Sequence, residues 1–427
     1  MNRRSFLAAS AVALALPRLR RPRPTPSEAQ FLWQRDELAL FLHFGVNTFT
    51  DREWGDGTED PAIFNPRALD ARAWARMARR AGFKAMILTA KHPDGFCLWP
   101  TATTQHSVAS SPWRNGGGDL VREFTDACRA EGLRAGLYLS PWDRNAPVYG
   151  DSRRYNDLYC DQLTELLTHY GAIHEVWFDG ANGEGPNGRR QVYDWPRFWG
   201  LVKQLQPDSV IFSDAGPDVR WIGNEIGVAG ETCWSTVDPD VVPFPGATGD
   251  RVMDMLQHGD PHGTVWRPGE TDVSIRPGWF YHPAQDAQVR DVDNLVGLYF
   301  TSVGRNSKLL LNVPPTRDGI IHPTDAARLR GLHERLTDMF AEDLAARLPA
   351  TVSVADLRED IRFGQAVARY VLEGRVDGAW RVLARGTTIG YRKLDRFEPV
   401  RVEAVRVRVE EAVGEAGEVS VGVHGPA

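Results

Sequence analysis

Cysteine is scarce in this chain: four residues in 427, at positions 97, 128, 160 and 233. No two are spaced as CxxC and no zinc-finger pattern is present, so they are expected as free, buried thiols. Basic residues do not predominate either. The formal net charge is −6, which argues against a nucleic-acid binder, because counterion release needs a basic face. Several reaction signatures are missing as well. There is no GxGxxG turn after an early strand, no GxSxG nucleophile elbow, no HExxH, and no sign of a kinase or P-loop. The apolar run Phe6–Leu16 has 11 residues, where a membrane span needs about 20.

What is present is an ordinary globular composition, 42% apolar and 25% charged, in a chain long enough for two domains. Tryptophan is abundant, at 14 copies. Indole rings fill cores, and they also offer flat platforms for the apolar face of a sugar ring.

The amino terminus reads as an address. Arg3-Arg4 precede Phe6-Leu7, a short apolar segment contains Ala13-Leu-Ala15, and Pro17 opens a basic stretch through Arg23. This pattern predicts a cleavable twin-arginine export signal. Residues 1–28 are therefore assigned to signal and linker, and the protein to the periplasm or the exterior. No cysteine sits near the cleavage region, so no lipid or membrane anchor is expected.

Continuous apolar runs recur at Leu38–Leu42, Ala85–Leu88, Ala135–Leu139, Glu175–Phe178 and Ser209–Phe212. Such runs fit strands buried on both faces. Amphipathic patterns lie between them at 70–81, 120–131, 158–170 and 195–205. Alternating strands and helices predict an α/β fold, a (β/α)8-like TIM-type barrel over 29–345. The helical pattern 323–344 leads out of it. From 350 to 427 the pattern becomes short alternating runs separated by Gly and Asp, which predicts a small C-terminal β-sandwich. In the run Val400–Val409 the alternation slips once, at Ala404-Val405.

Polar and aromatic residues follow each barrel run: His43, Lys91-His92, Trp142-Asp143, Asp179 and Asp214. The face where strands meet their following loops carries the active site in such barrels. Two carboxyl groups flanking a bond suit glycoside hydrolysis, one attacking and one exchanging a proton. Asp179 is the candidate nucleophile, one residue past a buried strand and followed by Gly180. A helix N-cap is the bland alternative. The partner candidates are Glu53, Asp94, Asp143, Asp214, Glu225 and Glu231. Glu225, in Arg220-Trp-Ile-Gly-Asn-Glu225, is favoured because an indole neighbour would raise a carboxyl pKa. His43 and His92 prompt a metal-dependent hydrolase as an alternative, but close-spaced ligand pairs are lacking. No metal or cofactor is expected.

At Leu42-His-Phe-Gly45, Glu53-Trp-Gly55, Lys91-His-Pro-Asp-Gly-Phe96, Ser140-Pro-Trp-Asp143, Val176-Trp-Phe-Asp-Gly180, Trp221-Ile-Gly-Asn-Glu225, Arg276-Pro-Gly-Trp-Phe-Tyr-His282 and Leu309-Leu-Leu-Asn-Val-Pro-Pro315, the chain resembles the α-L-fucosidases of glycoside hydrolase family 29. The matches run in order across residues 31–325. The resemblance implies a retaining mechanism with Asp179 as nucleophile and Glu225 as acid/base. It implies that His43, Trp54, His92, Tyr138, Trp177, Arg220 and Trp279 hold the sugar. The partner would be a fucosylated glycan, with α-1,3/1,4 linkage implied by the Ser-Pro-Trp-Asp and Gly-Asn-Glu forms. One departure stands out: Pro93 occupies the place of a second histidine that normally contacts sugar hydroxyls. Weaker fucose binding, a different sugar, or a binding protein without catalysis would follow from it.

Overall fold

The computed structural model describes residues 23–426. The export signal expected at the amino terminus lies almost wholly outside these residues. The linker, expected through residue 28, ends sooner. Arg23 already donates to the carbonyls of Pro261 (3.0 Å) and Val413 (2.9 Å). Ser27 caps helix α1 (Glu28–Arg35) in a reciprocal capping box with Gln30, a pairing that satisfies two amide donors at once.

Eight parallel strands form the barrel sheet: β1 (Leu38–Leu42), β2 (Ala85–Lys91), β3 (Arg134–Leu139), β4 (Glu175–Trp177), β5 (Val210–Phe212), β6 (Arg220–Trp221), β7 (Gly269–Ser274) and β8 (Ser307–Asn312). Their spatial order is β5-β4-β3-β2-β1-β8-β7-β6. A single parallel bridge, Phe212 to Val219, nearly closes the ring between β5 and β6. The outer layer includes α2 (Ala71–Arg80), α3 (Leu120–Ala130), α4 (Ser152–His169), α5 (Trp195–Leu205), α6 (Asp250–His258), α7 (Val292–Thr301) and α8 (Pro323–Met339). Asp70, Asp119, Asp151, Asp194 and Asp291 each cap one of these helices by accepting an amide hydrogen of its first turn. Where a barrel loop turns into its helix, a short acceptor at that point satisfies an orphan donor.

Strand alternation sorts the side chains into an outer and an inner set. The outer set packs under the helices around Trp74, Phe124, Leu163 and Phe198. The inner set stacks in layers. At the bottom are Glu175, Glu270 and Lys308, closed off by Trp33 of α1. Above them lie Phe41, Ile87, Tyr138, Trp177, Phe212 and Leu310. The top layer, two residues further along the strands, holds the polar groups of the site.

The carboxyl-terminal unit has two three-stranded antiparallel sheets. One orders β12 (Lys393–Val402), β9 (Ala350–Glu359) and β14 (Val419–His424). The other orders β11 (Ala379–Gly386), β10 (Val367–Val376) and β13 (Ala404–Ala412). Val352, Leu357, Tyr370, Leu372 and Val402 fill the space between them. The slip of alternation at Ala404 is now explained: β12 ends at Val402, and the chain passes at Glu403 from one sheet to the other. The helix expected to run to 344 stops at Met339, and a separate turn, Leu344–Arg347, follows. All four cysteines are free and buried. Among the described residues no helix is long and apolar enough to cross a membrane.

Candidate active site

A pocket with ≈470 Å³ of empty space opens at the carboxyl ends of the barrel strands. Phe41, His43, Glu53, Trp54, His92, Tyr138, Trp177, Asp179, Glu225, Asp272 and Trp279 line it. Eight of the nine site residues expected from sequence therefore meet there.

Asp179 follows β4, with Glu175 and Trp177 below it on the same inward face. Its Oδ2 accepts the Tyr138 hydroxyl at 2.8 Å, and its Oδ1 accepts the Ala181 amide at 2.8 Å. No helix begins here; the next one, α5, is capped by Asp194. The helix-cap alternative for Asp179 is thus removed. Burial, reinforced by Asp179 itself, drives the Tyr138 pKa well up, so Tyr138 stays a proton donor and holds the carboxylate still. Trp177 lies flat on Phe212, 4.1 Å between ring centres, and its Nε1 donates to Glu270 at 3.0 Å. The floor of the pocket is consequently an indole that cannot rotate without stranding a buried N–H.

The two histidines present opposite polarity. Asn312 donates its amide to Ser274 Oγ (2.9 Å) and to the Trp279 carbonyl (2.8 Å). Its Oδ1 therefore faces His43 Nδ1, at 2.9 Å, and Nδ1 carries the hydrogen. Burial and the neighbouring His92 hold the His43 pKa well below normal, leaving a neutral ring with Nε2 as acceptor. Asn47 Nδ2, which also reaches the Glu53 carbonyl at 3.3 Å, donates to His92 Nδ1 at 3.2 Å. His92 then offers Nε2–H as a donor. One donor and one acceptor, with ring centres 5.7 Å apart, suit adjacent hydroxyl groups.

The acid/base candidates separate by environment. Glu225 sits at the rim, where Trp279 Nε1 donates to it at 3.2 Å. Partial loss of water raises its pKa, with added repulsion from Asp179 and Glu53. Glu53 lines the pocket but is fully engaged: it accepts the amides of Trp279 (2.8 Å) and Phe280 (3.2 Å) and pairs with His282 Nε2 at 2.5 Å. It is a brace between two loops. Asp143 binds the buried Lys91 at 3.0 Å and two backbone amides. Asp94 is buried and caps the Phe96 amide. Glu231 is exposed beside Arg305. Asp214 lies behind Gly180, its Oδ2 accepting the Gly246 amide at 2.7 Å, and burial lifts its pKa to about 6.

One expected site residue is misplaced. Arg220 does not line the pocket; it is buried on the outward face of β6. It donates to the carbonyls of Leu256 (2.9 Å) and Arg267, and to Cys233. The reason is alternation: Trp221 takes the inward position, so its neighbour must point out. Pro93 is buried but is not among the lining residues. Trp54 forms half of the rim, 51% exposed, tilted against His92 and Trp142 at 5.5 and 5.7 Å. Phe41 and Asp272 were not anticipated. Phe41 is two residues before His43, so strand periodicity could have found it. Asp272 lies in Gly269-Glu-Thr-Asp-Val-Ser274, which is too polar to read as a buried strand. Among the described residues no three His, Cys, Asp or Glu side chains are grouped to hold a metal ion.

A polar, aromatic-walled pocket at the strand ends of a parallel barrel, carrying paired carboxyls, defines a glycoside hydrolase. The family profile described as α-L-fucosidase matches residues 47–338. The chain belongs to that family, glycoside hydrolase family 29. It is 43% identical to α-L-fucosidase 1 of Arabidopsis thaliana, over 88% of this chain and 82% of that one. A family 29 member from a rumen bacterium superposes with a TM-score of 0.89 at 41% identity, covering 95% of this chain and 78% of the other. The Ruminococcus gnavus family 29 fucosidase in complex with fucose gives 0.85 at 29% identity, covering 95% and 96%. The protein is accordingly a glycoside hydrolase of the α-L-fucosidase family.

Proposed function

We propose that this enzyme releases terminal α-L-fucose with retention of configuration. In the first step Asp179 attacks the anomeric carbon. Glu225 gives its proton to the leaving oxygen, and a fucosyl ester forms on Asp179. In the second step Glu225, now a carboxylate, takes a proton from water, and the water oxygen displaces Asp179. The observation that carries this reading is the contrast between the two carboxyls. Asp179 is fixed by two hydrogen-bond donors, the Tyr138 hydroxyl and the Ala181 amide, whereas Glu225, at the rim beside Trp279, has its pKa raised by partial loss of water. A carboxyl held rigid at the pocket floor and one at the rim whose pKa is raised suit the nucleophile and acid roles respectively.

The bond cut is proposed to be α-1,3 or α-1,4 on branched glycans, on the strength of the Ser140–Asp143 and Gly223–Glu225 segments. Export to the periplasm or exterior is proposed from Arg3-Arg4 and the apolar run after them. The test of the mechanism is fucose release from an aryl α-L-fucoside and a Lewis-type branched oligosaccharide. Asp179→Ala is expected to abolish both activities. Glu225→Ala is expected to spare the aryl substrate more, because an acidic phenol leaves without a proton, and to be rescued by azide with retained stereochemistry. A β-configured first product with water would overturn retention, and activity on the aryl fucoside alone would overturn the linkage.

A further inference from the structure

Four carboxyl groups line the pocket. The mechanism uses Asp179 and Glu225, and Glu53 is consumed as a brace. Asp272 has no role so far. It lies on β7, two residues above Glu270 on the inward face, and is 3% exposed. Its Oδ1 accepts Trp221 Nε1–H at 2.8 Å. Its Oδ2 meets no other side chain at hydrogen-bond distance among the described residues, in a residue that forms part of the pocket wall.

The charged groups that share the pocket with it are acidic, and one buried cation, Lys308, lies a layer below against Glu175 and Glu270. Glu225 comes from the loop after β6, Asp214 from the end of β5, and Asp179 from the pocket end of β4. Glu270 lies one layer down on β7 itself. Burial and repulsion from Glu225, then Asp214, push the Asp272 pKa well above the usual carboxylate range, against the Trp221 hydrogen bond, which lowers it. An ionised Asp272 would put a third negative charge beside Asp179 and a deprotonated Glu225, in a pocket walled by Phe41, Trp177 and Trp279.

Resting on the retaining reading above, we propose that Asp272 is a further substrate-binding residue, a carboxylic acid that keeps its proton throughout and hydrogen-bonds a hydroxyl of the fucose ring through Oδ2–H. The Trp221 indole fixes which oxygen carries the proton, because Oδ1 is already an acceptor. His43 and His92 treat one side of the ring as acceptor and donor; Asp272 adds a donor from β7. No proton leaves Asp272 in either half-reaction. It thereby reads a hydroxyl without adding charge that would oppose the ionisation of Glu225.

The test compares Asp272→Asn and Asp272→Leu with wild type on aryl α-L-fucosides, including the series lacking one ring hydroxyl at a time, over a full pH range. Asparagine keeps a neutral donor and should remain within about threefold of wild type in kcat/KM, with the alkaline limb unmoved. Leucine removes the donor and should lower kcat/KM on the order of 10- to 100-fold, as expected for one buried hydrogen bond to a hydroxyl. That loss should vanish for the one deoxy substrate whose missing hydroxyl is the partner. Infrared difference spectra of wild type should show a protonated carboxyl band that Asp272→Asn removes. The proposal is overturned if the alkaline limb of Asp272→Asn shifts to lower pH, if the band is absent from wild type, or if the leucine variant penalises every deoxy substrate equally. Should the leucine variant not fold, the asparagine profile and the infrared band decide alone. Asp179→Ala in parallel keeps the two ideas apart: residual turnover there overturns the retaining reading, whatever Asp272 does.

Discussion

Replacing Asp214 with Asn should stabilise the protein at pH 7 and leave it nearly unchanged at pH 4. Asp214 is held beneath Gly180, and burial lifts its pKa from 3.8 to about 6. The folded state therefore binds a proton more tightly than the unfolded chain does. Below pH 4 both states are protonated, and the group carries no penalty. As pH rises from about 4 to about 6 the unfolded chain ionises freely while the folded one resists, so stability falls through that window. Holding this carboxyl at about 6 rather than 3.8 is worth about 3 kcal/mol, lost in full by pH 7. Asparagine keeps an acceptor for the Gly246 amide, which donates at 2.7 Å, and has no charge to desolvate. The assay is the thermal midpoint of wild type and variant from pH 4 to 8. Carboxyls remote from Asp214 titrate in both proteins and cancel in the difference, whereas Asp179 and Asp272 are repelled by Asp214 and are relieved in the variant, which adds to the gain at pH 7. The difference should grow between pH 4 and 6 and then level off. A difference that is flat across the range, or that favours wild type at pH 7, would refute the reasoning.

Three further substitutions probe other points. Arg220→Met should destabilise the fold by on the order of 2–5 kcal/mol, since two buried carbonyls lose their donor, while KM for an aryl fucoside stays within about twofold. A tenfold KM rise with an unchanged thermal midpoint would return Arg220 to the pocket. Gly180→Ala places a methyl 2.5 Å from the Gly246 amide nitrogen and 2.8 Å from Asp214 Oδ2. Displacing Asp179 by a few tenths of an ångström to one ångström should lower kcat on the order of 10- to 100-fold, and unchanged kcat would show that the 244–247 loop yields instead. Pro93→His should raise kcat/KM for aryl fucosides by about 5- to 10-fold, the value of one hydroxyl contact regained. A loss would show that the loop after β2 is built around proline.

The strands legible in the sequence were those whose two faces are both apolar. Leu38–Leu42 sits under helices on one side and over Trp33 and Phe41's neighbours on the other, and its run of five apolar residues said so. β7 was not legible for the opposite reason. Its inward residues, Glu270 and Asp272, face carboxyl, lysine and indole groups rather than aliphatic ones, so the segment reads as loop. β6 has only two residues, too few for any period to show, so the resemblance that puts Arg220 in the pocket has no strand phase to correct it. Asp179 was legible because a single carboxylate follows an apolar strand at a glycine. Glu53 carried the right chemistry but the wrong role; its three donors come from 226 to 229 residues away, a distance no local pattern spans.

The column of indole–carboxyl contacts inside the barrel has a consequence for how this sequence can vary. Trp33 donates to Glu175, Trp177 to Glu270, Trp221 to Asp272 and Trp279 to Glu225. Lys308 sits against the lower two carboxyls, 3.2 Å from Glu175 and 3.9 Å from Glu270. In the pairs below the rim, changing one member strands a buried N–H or its acceptor before any gain can appear. The viable neighbours of this sequence are therefore reached by joint replacement of both members of a pair. Partners 51 to 142 residues apart in the chain are bound to mutate as though they were adjacent.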